Sequence, residues 1–328
     1  MGHIVRCSSL AAALSRRGAS VHFALRPSAA AEEHLEKQGQ NFTILDDADS
    51  PAGETERVVE IARRLGAKIG VVDHYSLDPT YHRALREATG CLACIDDNFL
   101  ASSAADIVIN QNLHADAESY EGKVSSAAKL LLGPRYALLR LEFARAHRET
   151  PEIHEKIERV LISFGGGDPE NATALCLRGL DKVGRGLRID AVVGAAFEHH
   201  GELEELIPTM ACDVMLHRDI DYIDRLMLEA DLAFCAGGTT CWEIQCLGLP
   251  SIITVLAENQ QAIAESLHRY RSAICLGRRD DLDESAYTAS FLRLDADKQR
   301  RGEMSALALE LVDGLGADRV AAELYAAL

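Results

Sequence analysis

Residues 230–267, ADLAFCAGGTTCWEIQCLGLPSIITVLAENQQAIAESL, leave the chain little freedom in how it folds. A short apolar run, 232–235, breaks off at Gly237-Gly238-Thr239-Thr240, and a helical pattern starts at once, which is the order strand, glycine turn, helix. Thr240 and Glu243 stand at capping-box spacing, and the helix is expected to stop at Gly248-Leu249-Pro250. A second strand, 251–256, follows directly. It ends at Glu258-Asn259-Gln260, which opens the next helix. Two strand-to-helix turns side by side belong at the carboxyl edge of one parallel sheet, where such sheets bind ligands.

The chemistry expected of that edge is anion recognition. Gly237 and Gly238 let the backbone come close to a ligand, and the open amides at the start of the following helix favour a phosphate. Glu243 cannot serve a phosphate. It could accept hydrogen bonds from a ribose diol, or it could be only the capping-box partner of Thr240, and spacing leaves both open.

A chain of 328 residues allows about two domains, each able to bury a core, and 48% hydrophobic with 26% charged residues is ordinary globular composition. The net charge of -17 argues against nucleic acid, which is bound by clustered Lys and Arg, and weakly against an anionic membrane surface. No apolar run approaches the roughly 20 residues that span a bilayer, and no signal-peptide core is present, so a cytoplasmic protein is expected. The 9 cysteines are scattered and odd in number, as reduced thiols used for packing would be. Cys91 and Cys94 form a C-x-x-C, but CLACIDD reads as a buried strand, where an offset of three points the side chains to opposite faces.

The rest of the chain alternates strands with helices. A helix over 4–17 ends at Gly18; strands follow at 21–25, 42–45, 69–73, 91–95 and 107–109, with helices over 29–38, 54–65 and from Pro79 to about 88. Asp78-Pro79 reads as an N-cap and first-turn proline. This is a doubly wound parallel sheet. A boundary falls in the polar stretch 147–156, which divides the chain into a Rossmann-like domain at 1–146 and a second at 157–328. The second opens with a strand at 160–164 and Gly165-Gly166-Gly167-Asp168-Pro169, with Asp168 the expected N-cap and Pro169 the first helical residue. Strands at 189–193 and 214–216 and closing helices over 301–328 complete it. Two such domains imply a cleft lined by the carboxyl edges of both sheets. The acidic runs 46–56 and 280–284 read as solvated turns.

Together MGHIVRC, VVDHYSLD, CIDD, LLGPRYALLRLEF, ISFGGGDPENAT and AGGTTCWEIQCLGLP with its ENQ resemble the UDP-sugar hydrolases of pseudaminic acid biosynthesis, which release UDP from UDP-2,4-diacetamido-2,4,6-trideoxy-β-L-altropyranose. The ordered set runs along nearly the whole chain. It implies the two-domain glycosyltransferase-B fold, similar to that of the transferase that builds lipid II from lipid I. The family motif G-x-G-H-x-x-R falls on His3 and Arg6, with His3 placed as general base, a role that a histidine's ordinary titration near neutrality suits. In the family a strand and a glycine turn precede this motif, whereas here Met1 stands where the turn would continue. The expectation is a sheet lacking its first strand, a misassigned start and a native chain about a dozen residues longer, since each unmade ladder hydrogen bond costs about 0.5 to 1.5 kcal/mol.

By that resemblance the reaction is inverting hydrolysis of a UDP-sugar, with no cofactor and no metal. UDP would lie on the second domain, its diphosphate at Gly237, Gly238, Thr239 and Thr240 and its ribose near Glu243, with Gly165, Gly166, Asn259 and Gln260 lining the same cleft. The first domain would hold the sugar through Asp73, His74 and Tyr75; Asp73 could instead orient His3. For Arg140 and Tyr136, packing and binding stay equally open. The rivals are a UDP-sugar-dependent glycosyltransferase, which would need an acceptor groove, and a nucleotide-sugar-binding protein without catalysis. The partner expected is a small-molecule UDP-sugar, without nucleic acid or stable membrane association; oligomeric state is not legible.

Overall fold

A computed structural model describes residues 2–45, 50–101, 103–147 and 152–328. Part of the acidic run at 46–56, the centre of the boundary stretch at 147–156 and Met1 lie outside the described residues. The chain divides into two compact units: Met1–Arg140 with Leu315–Leu328, and Leu141–Gly314.

Unit 1 begins with α1 (Gly2–Arg16), followed by β1 (His22–Leu25), α2 (Ala29–Lys37), β2 (Asn41–Ile44), α3 (Pro51–Leu65), β3 (Gly70–Val72), α4 (Pro79–Thr89), β4 (Leu92–Ile95), β5 (Ile107–Asn110) and β6 (Lys129–Leu132). The local punctuation is explicit. Asp78 Oδ1 accepts from the amides of Thr80 (2.8 Å) and Tyr81 (2.9 Å), Pro79 occupies the first turn, and Gly90 stops the helix at φ 86°. β4 and β5 are buried throughout, which is why LACI and IVIN read as continuous apolar runs. Cys91 packs with Leu10, Ile107 and Leu131, whereas Cys94 packs with Val58, Leu85 and Val108, so the C-x-x-C is split between opposite faces as expected.

All strands of this unit run parallel, in two pieces: β1-β2, and β3-β4-β5-β6. The edges of β1 and β3 line one cavity of about 1020 Å³, together with Cys7, Leu10 and Leu14 of α1. The sheet is therefore interrupted between β1 and β3, where a central strand of a doubly wound sheet belongs.

Unit 2 comprises α5 (Leu141–Ala146), β7 (Arg159–Ser163), α6 (Ala172–Asp181), β8 (Arg188–Val193), α7 (His200–Leu206), β9 (Asp213–Arg218), α8 (Ile223–Glu229), β10 (Leu232–Ala236), α9 (Thr240–Cys246), β11 (Ser251–Val255), α10 (Glu258–Tyr270), β12 (Ile274–Arg278), α11 (Glu284–Asp295) and α12 (Lys298–Leu311). Its single parallel sheet has the order β12-β11-β10-β7-β8-β9, so the chain reverses direction across the sheet between β7 and β10. That reversal is the switch point at which ligand crevices form.

Three local expectations are corrected. α6 starts at Ala172 with Asn171 (φ 45°) as its N-cap, and Pro169 precedes the helix. Asp168 reaches over this extra turn instead, its carboxylate accepting from the Ala172 amide and from the amide and hydroxyl of Thr173 at 2.6–2.9 Å. Thr240 is not the N-cap: Thr239 is, in the helical region and without a side-chain cap, and the amides of Cys241 and Trp242 close the turn on the main-chain carbonyls of Gly238 and Thr239. The units also divide differently from 1–146 and 157–328. α5 packs in unit 2, where His147 Nδ1 lies 2.7 Å from the Cys246 carbonyl. The last helix, α13 (Gly316–Ala326), returns to unit 1, because its Val320, Ala321 and Leu324 complete the core around Leu10 and Ile109. No described helix is long and apolar enough to cross a membrane.

Candidate active site

In unit 1, β3, β4 and β5 deliver polar residues to one carboxyl edge: Asp73 after β3, Asp96 and Asp97 after β4, and Asn110, Gln111 and Asn112 at the end of β5. α1 starts at the same edge. His3, Arg6 and Cys7 stand three and four residues apart, so one helical face carries all three over Asp73.

Asp73 is the hub. Its Oδ1 accepts from His3 Nδ1 (2.6 Å) and Arg6 Nη2 (2.6 Å), and its Oδ2 from Arg6 Nε (2.7 Å) and Cys7 Sγ (3.3 Å). The Arg6 guanidinium bridges onward through Nη1 to Asp97 Oδ2 at 2.5 Å, the oxygen that also accepts from the Tyr75 hydroxyl at 3.0 Å. Burial by itself would raise the Asp73 carboxyl, but the hydrogen bonds from Arg6 and His3 and the guanidinium charge outweigh it and hold the group at about 2. Burial opposes the Arg6 charge too, yet Asp73 and Asp97 raise its pKa further. Tyr75 is pushed up to about 12 by burial and the Asp97 carboxylate, so it stays a donor.

These charges fix the state of His3. An ionised Asp73 can only accept, so Nδ1 of His3 carries a proton, and in the neutral ring Nε2 is left with its lone pair. The imidazole side chain is 42% exposed while Asp73 is 4% exposed, a ring open on one side and held on the other. Tyr75 meets the ring edge-on, with centroids 4.7 Å apart. Histidine, positioning carboxylate and open nitrogen are the parts of a general base.

Of the other expected residues in this unit, His74 is bonded within its own turn, its Nδ1 accepting from the Ser76 amide at 3.1 Å, and burial lowers its pKa. Arg140 is half-buried just ahead of α5, and Tyr136 packs beside the core that holds Leu138 and Val320. Asp97 and Asn112 carried no role in the sequence reading, although CIDD was singled out; the legible signal was two acids directly beyond a buried strand. The pair divides its work. Asp96 caps the next loop, accepting from the amides of Asn98, Leu100 and Ala101, and Asp97 faces Arg6, with Asn112 Nδ2 3.4 Å away.

In unit 2, Gly165 and Gly166 follow β7, and Gly237, Gly238, Thr239 and Thr240 follow β10, so both glycine turns flank the switch point. Gly237 is obligatory for packing: a Cβ there would lie 2.8 Å from the Gln260 carbonyl oxygen. Gln260 itself is a brace, its side-chain oxygen accepting from the Leu256 amide at 3.0 Å, whereas Asn259 is exposed in the first turn of α10. Glu243 is half-buried in α9, one turn beyond Thr239. At Gly194, beyond β8, a Cβ would sit 2.6 Å from Gly166 Cα, so this neighbouring loop closes against the first turn by backbone contact. Among the described residues, no group of three or more His, Cys, Asp or Glu is placed to hold a metal ion.

Comparison with known proteins fits this architecture. Solved structures with the same arrangement include Acinetobacter baumannii MurG, with a TM-score of 0.73 at 16% identity over 99% of this chain and 96% of that one. Anabaena HepE in complex with UDP-glucose gives a TM-score of 0.60 at 14% identity over 100% and 96%. The fold is glycosyltransferase-B. No protein-family model matches the sequence. An uncharacterized protein of Methanocaldococcus jannaschii is 26% identical over 267 residues, 79% of this chain and 53% of its own length. The spore coat polysaccharide biosynthesis protein SpsG of Bacillus subtilis is 27% identical over 220 residues, 66% of this chain and 64% of its own length. The chain thus spans between half and two thirds of these two relatives. The UDP-2,4-diacetamido-2,4,6-trideoxy-beta-L-altropyranose hydrolase of Campylobacter jejuni is 32% identical over 101 residues, 31% of this chain and 36% of that protein.

Proposed function

We propose that the chain hydrolyses a UDP-sugar with inversion at the anomeric carbon, the substrate being UDP-2,4-diacetamido-2,4,6-trideoxy-β-L-altropyranose of pseudaminic acid biosynthesis. The observation that carries the reading is the 2.6 Å bond from His3 Nδ1 to a carboxylate kept ionised by a buried arginine. His3 Nε2 takes a proton from water as the water oxygen bonds to the anomeric carbon and the bond to the β-phosphate oxygen breaks. The resulting imidazolium faces the Asp73 carboxylate, and UDP leaves with the bonding electrons. General-base help of this kind is worth about 10² to 10⁴ in rate. Unit 2 takes the nucleotide, with the diphosphate on the amides after Gly237 and Gly238 and the ribose on Glu243, and oriented amides favour the charge that builds on the leaving group. Support comes from the local likeness to the Campylobacter hydrolase and from the UDP-glucose bound by HepE.

The MurG-like fold and the relationship to a polysaccharide-biosynthesis protein keep sugar transfer to an acceptor as the second reading. A proton and phosphorus NMR time course with the named UDP-sugar, run in EDTA without acceptor, separates the two. Release of UDP with a free sugar of inverted anomeric configuration is the expected result. Unchanged substrate that turns over only on adding an acceptor would replace hydrolysis by transfer, and unchanged substrate throughout would refute the activity on this sugar.

A further inference from the structure

At the carboxyl edge of unit 2, three strands end level. Ala236 of β10 pairs with Thr254 of β11, and Thr254 with Gly277 of β12. One residue past Ala236 the Gly237 turn opens; two residues past Gly277 stands Arg279, at the start of a 3-10 turn, Arg279–Asp281. Strands lie about 4.8 Å apart, which puts Arg279 roughly 10 Å along the edge from that turn. Its Nη2 donates to the carbonyl of Glu170 at 3.3 Å. Glu170 belongs to the loop that begins with Gly165 after β7, on the far side of β10 in the strand order. One guanidinium at the strand ends is therefore tied to the loop of one glycine turn and stands level with the other.

Its bonding is incomplete. The Nε of Arg279 is buried with no hydrogen-bond partner, and no carboxylate among the described residues lies within ion-pair distance of it. The adjacent Arg278, by contrast, pairs with Glu258 at 2.9 Å. A buried guanidinium N–H without an acceptor is costly unless a ligand supplies one. The fitting acceptor is a phosphate oxygen, since the planar fork of arginine donates in pairs to such groups.

We infer that Arg279 is a ligand of the diphosphate of a bound nucleoside diphosphate, supplying the positive charge that the glycine turns lack. This rests on the nucleotide-sugar reading given above. The test is calorimetric titration of the full chain and its Arg279→Gln and Arg279→Lys variants with UDP and with uridine, each variant first matched to the parent by circular dichroism and thermal unfolding. Loss of one charge-assisted contact predicts UDP binding roughly 10- to 100-fold weaker in Arg279→Gln, with part of it restored in Arg279→Lys and uridine binding within twofold of the parent. UDP affinity unchanged in Arg279→Gln, or an equal loss for UDP and uridine, would overturn the assignment while leaving the nucleotide reading intact. A parent chain that binds neither would remove both.

Discussion

Replacing Asp73 by Asn removes a charge without removing volume, and it does so where the charge is most used. The Asp73 carboxyl is held at about 2 instead of 3.8, which corresponds to roughly 2 kcal/mol of folded-state stabilisation at neutral pH. Because the folded value lies below the unfolded one, that stabilisation is present above pH 3.8 and fades as pH falls through about 2. The parent should therefore be more stable than Asp73→Asn by about 2 kcal/mol at pH 7 and by about half that at pH 3, measured by urea unfolding. Arg6 keeps Asp97, which spares the variant from a fully unpaired buried guanidinium. Catalysis should suffer more than folding. The amide no longer enforces a proton on His3 Nδ1 and no longer faces the imidazolium with a negative charge, so UDP release, followed by phosphorus NMR, should slow by about 10² to 10⁴. UDP affinity, by calorimetry, should change little, since Asp73 is in unit 1 and is 4% exposed. Turnover within threefold of the parent would refute the role of Asp73 in setting the His3 tautomer. A stability gap that does not narrow between pH 7 and pH 3 would refute the charge as its source.

Substitution His3→Ala should abolish UDP release while UDP binding persists; loss of both would count against His3 as the base. In Gly237→Ala the new Cβ would stand 2.8 Å from the Gln260 carbonyl, so α10 must shift at its first turn, at about 1 to 3 kcal/mol in thermal unfolding and with weakened UDP binding. The variant Gly316→Ala puts a Cβ 2.2 Å from the Ala137 carbonyl oxygen, and it should release α13 from unit 1, seen as early proteolytic loss of the C-terminal helix with the sheet of unit 2 still protected from hydrogen exchange.

The alternation of strand and helix was legible because buried parallel strands carry uninterrupted apolar runs, as LACI, IVIN and LAFCA do, and because Gly90 and Asp78-Pro79 mark their helix ends in single residues. What escaped was set by partners distant in sequence. α13 looks like any closing helix until Leu10 and Ile109 are seen to need it, and α5 falls within the first domain by sequence although it packs against α9. Asp168 caps α6 from four residues ahead of the first helical amide, a reach that spacing rules do not cover. In the site, His3 and Arg6 entered through a family motif, and only the fold shows that both oxygens of Asp73 accept from Arg6, His3 and Cys7. Asp97 was missed because its value lies in sharing Arg6, a contact 91 residues away in the chain.

The interruption between β1 and β3 bears on how unit 1 comes apart. A two-stranded ribbon is marginal in water, and β1-β2 has no third strand beside it among the described residues. Residues 22–44 are thus the segment of unit 1 with the least to lose on opening, and their amides should be the first of its strand amides to exchange with solvent. α1 lies along the same cavity and carries His3 at its first turn. Local melting of the ribbon would leave α1 held by the core that its Leu10 and Ala13 share with β4, β5, β6 and α13. The base and its carboxylate therefore belong to one cooperative block, and their pairing should outlast the first loosening of unit 1 on warming.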